Sequence, residues 1–416
     1  MRHMTQIAPL DAGRRSRPAQ PRRHGRRAII LAGLSVLALL LAACGTTSSA
    51  GSGGSSDAST GSGTLSSLPS GVADAIKTDL AKYSAGVNQD PTVKPVTGAG
   101  ELKGKTVWYV PIGASVPILA AFGTGLQQAL SQLDIKMHTC DGKLLPTDMA
   151  ACLNEAVTQG ADAVVTGYID YKLIPNAFNN LVAHNIPVLV AGASNDSGKP
   201  QTAKMAFYDT TSDVNLTLKL EMESVIADSG GKAKILFVGV LDSPQLVQGS
   251  GYARQFVKEN CPGCSFTEID YDTAAITQVP SKVSAALIAN PGTTYVVDES
   301  DAAGPGTLQG LEAAGYAHKV KMAGTNADLD GLQRIKAGSV QFADVGASPI
   351  YFGWLFADGI VTMLTGALPV AYLDEVRVFT KDNVADLELT PAAYATNSWY
   401  GSNDFESSFR TAWGLP

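Results

Sequence analysis

From Lys105 onward the chain alternates short β-prone apolar runs with stretches whose apolar residues recur every three or four positions. The first run, Thr106-Val107-Trp108-Tyr109-Val110-Pro111, reads as a buried strand. After it, Ile118, Phe122, Leu126, Leu130 and Leu133 share one helical face. The cycle continues with a strand at Ile135–His138 and a helix capped by Thr147 and closed by Gly160. Strand Ala163–Thr166, helix Leu173–His184 and strand Val188–Val190 follow. A second series comprises strand Ile235–Val240, helix Gln245–Glu259, strand Phe266–Tyr271, helix Val279–Ala289, strand Thr294–Val297 and helix Thr307–Ala314. It ends with strand Lys321–Ala323, helix Leu329–Ala337, strand Val340–Val345 and helix Pro349–Leu364. Continuous apolar strands separated by helices predict parallel sheets covered on both faces. There are too many strands for one ordinary sheet, so the pattern predicts an α/β protein of two doubly wound parallel-sheet lobes.

The remainder of the chain behaves differently. Residues 70–85 carry a modest helical pattern, followed by a Pro- and Gly-marked linker to about residue 102. Residues 45–64 hold only Gly, Ser, Thr, Ala, Asp and no large apolar side chain before Leu65. Such a tract cannot bury enough surface to order itself and predicts a flexible tether with a span of very roughly 25 Å. Ahead of it, an Arg-rich start leads into the uncharged run Ala28–Leu41. As a helix that run would cover about 21 Å, short of the roughly 30 Å hydrocarbon core of a bilayer, so it reads as an export signal rather than a membrane span.

Composition sharpens this picture. Hydrophobic residues make up 45% of the 416 and charged residues 17%, enough for sizeable cores. The chain's 31 basic and 38 acidic residues include eight Arg and one acid in residues 1–43, so the remainder holds 23 bases and 37 acids, a net of −14. A body this acidic lacks the basic footprint that nucleic acid requires, and no nucleic-acid partner is expected.

Five cysteines add a compartment. The run Leu41-Ala42-Ala43-Cys44 resembles the lipobox of bacterial lipoproteins. The resemblance implies cleavage before Cys44, diacylglycerol on its thiol and acylation of its amine, because one acyl chain anchors only marginally. It also implies a location at the outer face of the cytoplasmic membrane. Four cysteines remain, and an even number in an exported protein suggests disulfides. Of the three pairings, the local set Cys140–Cys152 and Cys261–Cys264 is favoured. Cys261-Pro262-Gly263-Cys264 has the spacing of a redox motif, but it follows a helix and precedes a strand. A reactive CxxC sits at a helix N-terminus, where the dipole lowers the thiol pKa, so a stapled turn is the better reading.

Three local sequences stand out: Gly104-Lys105-Thr106-Val107 at the first strand, Gln159-Gly160-Ala161-Asp162-Ala163-Val164-Val165, and His184-Asn185-Ile186-Pro187-Val188. They resemble those of the type I periplasmic-binding-protein family, the solute receptors of ATP-driven (ABC) importers, and its sugar-binding members above all. The resemblance implies a first lobe of 104–206 plus 347–376 and a second of 207–346 plus 377–390. The leader would be 1–43, the tether 44–64, the N-terminal helix and linker 65–103, and the C-terminal tail 391–416. Three strands would cross between lobes, near Ala206–Asp209, Asp344–Ala347 and Val376–Phe379. A small-molecule solute would sit between the lobes, and permease subunits would be the protein partners of a monomer.

Open parallel sheets place ligands at the carboxyl ends of their strands. That rule nominates Ser115, Tyr168, Asp170 and Asn195 on the first lobe. On the second it nominates Asp242, Gln245, Asp272, Glu299, Asp301 and Asn326. Where sugar-binding members usually carry Asp-Arg and a helical Arg, this chain reads Ala193-Ser194-Asn195 and Ser243-Pro244-Gln245, and the next Arg is Arg254. The charged fork for sugar hydroxyls is therefore missing. A cleft with carboxylates and no Lys or Arg predicts a neutral or cationic solute, since a bound anion would be left unpaired. No cofactor, metal site or enzymatic chemistry is expected. Gly123-Thr124-Gly125 and Gly304-Pro305-Gly306 lack the spacing of a dinucleotide loop. The alternatives are a receptor that signals to a membrane sensor and a glycosidase using two cleft carboxylates.

Overall fold

The computed structural model describes residues 65–86, 91–195, 197–370 and 376–416. The leader, Cys44 and the tether lie outside the described residues.

Two sheets form, their central strands buried on both faces and the edge strands Lys136–Thr139 and Ser265–Tyr271 more open. The first contains β1 (Thr106–Pro111), β2 (Lys136–Thr139), β3 (Ala163–Gly167), β4 (Val188–Ala191) and β5 (Met205–Tyr208) in the order β2-β1-β3-β4-β5. All its pairings are parallel. Every residue of β3, β4 and β5 is buried, the continuous apolar run expected of a strand covered above and below. The covering helices of this lobe are α2 (Pro117–Ser131), α3 (Pro146–Thr158) and α4 (Pro175–Ala183), joined later in the chain by the helix Pro349–Leu364. Leu126, Leu130, Trp354 and Phe356 build the core on one face of the sheet, and Leu153, Phe178 and Leu181 build it on the other.

The second sheet takes β6 (Lys234–Val240), β7 (Ser265–Tyr271), β8 (Tyr295–Asp298), β9 (Lys321–Thr325), β10 (Gln341–Ala347) and β11 (Val376–Thr380) in the order β11-β10-β9-β8-β6-β7. It is parallel except for β11, which runs antiparallel to β10. Its helices are α5 (Thr211–Asp228), α6 (Pro244–Asn260), α7 (Val279–Ala289), α8 (Gly304–Ala314) and α9 (Leu329–Ala337). The helix Pro349–Leu364 is α10; α11 (Lys381–Val384), α12 (Pro391–Tyr394) and α13 (Phe405–Ala412) follow it, and Val72–Ser84 near the N-terminus is α1. The chain passes between lobes at Asp209–Thr210, from β5 into α5, and at Ser348, from β10 into α10.

Two local readings are corrected. Helix α3 starts at Pro146 with Leu145 at its N-cap, so Thr147 lies in the first turn and does not cap it. Pro at N1 lacks only an N–H that the first turn leaves unpaired anyway. Gly160 does take the left-handed conformation, with φ 70° just past the helix end. Helix α5 is absent from the periodic pattern because Val214, Leu216, Leu218, Leu220 and Met222 fall at every second position, a spacing that marks no helical stripe, and its buried run Leu220–Ile226 includes two glutamates.

Cys140–Cys152 joins the end of β2 to α3, and Cys261–Cys264 staples the turn between α6 and β7, with Cα separations of 5.7 and 5.3 Å. Segments on either side of the two lobes pack on both. Helix α1 places Ile76 in the core of the second lobe, while Val96, Ala99 and Leu102 join that of the first. Likewise Trp399 and Tyr400 pack with Leu332, Ile335 and Phe379, whereas α13 lies on α10. There the Trp413 ring stacks on Trp354 at 5.8 Å, and its Nε1–H donates to Asp358 at 2.8 Å.

Candidate ligand-binding cleft

A cavity of about 140 Å³ lies where the carboxyl ends of the two sheets face each other. The first lobe supplies Ile112 from the end of β1, Val116, Ile118 and Phe122 from the start of α2, Tyr168 after β3, and Phe352 from α10. The second supplies Asp213, Val214, Thr217 and Leu218 from α5, and Asp242 and Leu246 from the β6–α6 connection. Thr273, Glu299, Ser300 and Asn326 follow β7, β8 and β9. No Lys or Arg lines it, and three carboxylates do.

Backbone geometry seats the polar members. Tyr168 adopts a left-handed φ of 61°, and its ring lies parallel to Phe122 with centroids 6.0 Å apart. A Cβ at Gly192 would come within 2.4 Å of that ring, so only glycine leaves room for it. Asn326 and Ala327 have φ of 101° and 52°, conformations costly for residues with a side chain. The Asn326 Oδ1 accepts from the Ser300 hydroxyl at 3.1 Å, which ties the loops after β8 and β9 together. Asp242 accepts from the Thr273 hydroxyl at 2.7 Å and from its backbone N–H at 3.1 Å. Glu299 accepts from the Val240 N–H at 2.8 Å and the Ser250 hydroxyl at 3.1 Å. Burial outweighs those bonds and pushes its carboxyl up to about 8.

Of the ten nominated residues, Tyr168, Asp242, Glu299 and Asn326 line the cavity. The others have different local work. Ser115 is exposed on the loop before α2. Asp170 holds the following turn by accepting from the Lys172 N–H at 2.6 Å. Asn195 closes its own loop, donating to the Lys199 carbonyl at 2.7 Å. Asp272 is exposed, and its backbone carbonyl accepts from the Ala275 N–H at 2.7 Å. Gln245 spans the lobes: its Oε1 accepts from the Ser194 N–H at 3.2 Å, and its Nε2 donates to the Gly192 carbonyl and to the Thr210 hydroxyl. Asp301 is buried behind the cavity wall, where it accepts from the Asp328 N–H at 2.8 Å.

Asp301 belongs to a buried acidic group. Asp344 accepts from the Ala327 N–H at 2.9 Å and from Gln341 at 3.0 Å, Asp298 from Thr307 at 2.7 Å, and Asp328 from Tyr394 at 2.7 Å. Desolvation pushes Asp298 and Asp344 up to about 7 and Asp328 to about 6. Among the described residues no group of three or more His, Cys, Asp or Glu has the arrangement to hold a metal ion.

The strand-end rule missed the apolar wall, because an apolar side chain facing a cavity and one facing a core read alike in sequence. It also missed Asp213 and Thr217, which sit on the helix that the periodic pattern passed over.

Residues 107–368, well over half the chain, match the model of the periplasmic binding protein domain family. No curated protein sequence matches the chain. Among solved structures, the solute-binding protein of a 5-methylthioribose transporter from Thermotoga lettingae, in complex with 5-methylthioribose, aligns with a TM-score of 0.62 at 16% identity, over 78% of this chain and 99% of its own. A sugar ABC transporter protein from Yersinia enterocolitica aligns with a TM-score of 0.61 at 18% identity, over 77% and 98%. A solute-binding protein from Bacillus halodurans with bound myo-inositol gives 0.58 at 18% identity, over 68% and 96%. At such identities these likenesses establish the fold. The family and these neighbours are solute-binding proteins, not enzymes, and the family is extracytoplasmic. No described helix is long and apolar enough to cross a membrane. Two parallel-sheet lobes, a cavity at their facing strand ends and the family match over residues 107–368 together make this chain a member of the periplasmic binding protein family, in its type I fold.

Proposed function

We propose that the protein captures a small neutral or cationic solute in the interlobe cavity and presents it to the permease subunits of an ABC importer. The observation that carries this reading is the acidic wall without a balancing cation: Asp213 and Asp242 line it beside Glu299, whose carboxyl keeps its proton up to about pH 8, and no Lys or Arg does. An anion placed there would lose its water without gaining a partner. The neighbours' ligands, 5-methylthioribose and myo-inositol among them, are neutral and hydroxyl-bearing, which supports a sugar-like solute. Tyr168, Asp242, Glu299 and Asn326 are the proposed ligand-facing polar groups. Gln245 is assigned to holding the lobes together, because all its hydrogen-bonding capacity goes to residues 192, 194 and 210. The lobes are taken as 104–206 with 347–376 and 207–346 with 377–390. Lipid on Cys44 would hold the protein at the outer face of the cytoplasmic membrane as a monomer.

A thermal-shift screen of sugars, aminosugars, polyamines and organic acids tests the solute class. Stabilisation by a neutral or cationic member, with one-to-one binding by calorimetry and unchanged solute recovered, is the expected result. Preferential stabilisation by a phosphate or carboxylate compound would defeat it. The anchor is tested separately: Cys44→Ser should release the protein from the membrane fraction.

A further inference from the structure

The cavity is more apolar than a receptor for free polyols requires. Its first-lobe wall is Val116, Ile118, Phe122 and Phe352, and Val214 and Leu246 face it from the second lobe. Phe122 and Phe352 belong to the first-lobe core, and half-buried Val116 and Ile118 pack against that core while reaching the cavity. Val214 and Leu246 carry the two second-lobe cores to the same surface. The same lining carries polar groups, Asp213, Asp242 and Asn326 among them. Those hydroxyls of a polyol that fall against the aliphatic and aromatic part of the lining would lose water and gain no acceptor there. An apolar ring or branched alkyl group would gain from the same surface.

We infer that the cavity selects an amphipathic solute, with an apolar ring or alkyl group against the Ile118–Phe122–Phe352 wall and hydroxyl or ammonium donors toward Asp213, Asp242 and Asn326. This rests on the receptor reading and narrows it from small neutral or cationic solutes to those with an apolar end. The missing Arg positions fit the same logic, since a site without a charged fork for several hydroxyls must draw its selectivity from shape and apolar burial.

Two probe pairs, each differing by one phenyl group, test the inference on the intact protein: D-glucose against phenyl β-D-glucoside, and ethylamine against 2-phenylethylamine. In at least one pair the phenyl member should bind one-to-one and at least about tenfold more tightly than its bare partner, a factor within reach of small apolar differences. Its binding should show a negative heat-capacity change. Ile118→Ser and Leu246→Ser, on opposite walls, should each weaken the phenyl member about tenfold, with melting curves confirming that both variants fold. Equal or tighter binding of the bare members, or binding by none of the four, overturns the inference. Tight one-to-one binding of a free sugar would leave the receptor reading standing, whereas no stabilisation anywhere in the broader solute screen would overturn that reading as well.

Discussion

The two lobes share a layered design and fill it differently. Among the described residues, the first lobe buries a single acidic side chain, Asp358, which meets the indole N–H of Trp413. The second buries Glu221, Glu223, Asp298, Glu299, Asp301, Asp328 and Asp344. Both carboxyl oxygens of Glu221 are buried without a hydrogen-bond partner, and burial together with neighbouring carboxylates raises its pKa. One lobe is therefore held by apolar and aromatic packing, and the other carries a protonation load, part of it, at Glu299, on the cavity wall itself. Stability and ligand readiness should respond to different perturbations in the two halves.

The largest effect should come from the packed lobe. Trp354, at 1% exposure, touches the rings of Phe405, Phe409 and Trp413. Trp354→Ala should cost about 3–5 kcal/mol, read from the denaturant midpoint. A loss below about 1 kcal/mol would mean that the C-terminal helix contributes little to this lobe.

A smaller effect of opposite sign is expected in the acidic lobe. Asp298, Asp344 and Glu299 hold their protons to about 7, 7 and 8, above the values of an unfolded chain. Between about pH 4 and pH 8 the native state therefore binds more protons than the unfolded state, and stability falls as pH rises. Melting temperature should decline from pH 5 to pH 8. Asp298→Asn keeps an acceptor for the Thr307 hydroxyl and should raise stability at pH 8 by about 1–3 kcal/mol, flattening the slope. A variant less stable than wild type at pH 8 would show that the ionised carboxylate is needed there.

The smallest effect concerns the seam between the lobes. Gln245→Ala removes the hydrogen bonds to the Ser194 N–H, the Gly192 carbonyl and the Thr210 hydroxyl. The seam should weaken by about 1 kcal/mol, roughly fivefold in the equilibrium between joined and separated lobes, with little change in either lobe's own stability. Distance measurements between labels on the two lobes would detect it, and an unchanged distribution would assign Gln245 a purely local role.

Sequence pattern reached α7, α9 and α10 to the residue, because each has a clear punctuation: Gln278 with Pro280, Asp328 with Gly338, and Ser348 with Pro349. It failed at α5, whose apolar residues from Val214 to Met222 alternate with polar ones and so mark no helical stripe. For the cleft, the carboxyl-end rule found Tyr168, Asp242, Glu299 and Asn326. It could not separate these from Asp301, Asp170 or Gln245, which occupy the same kind of position but lie off the cavity lining. Whether a strand-end carboxylate faces a cavity or a neighbouring carboxylate depends on packing between distant segments, such as Asp301 with Asp328, and a local pattern does not carry that information.

The most direct test of the central claim is a calorimetric titration of the wild-type protein with the solute that most raises its melting temperature, paired with recovery of that solute. One neutral or cationic molecule should bind per chain and be released unchanged, with affinity lost in Tyr168→Ala. Chemical turnover of the solute, or a carboxylate or phosphate bound in its place, would contradict it.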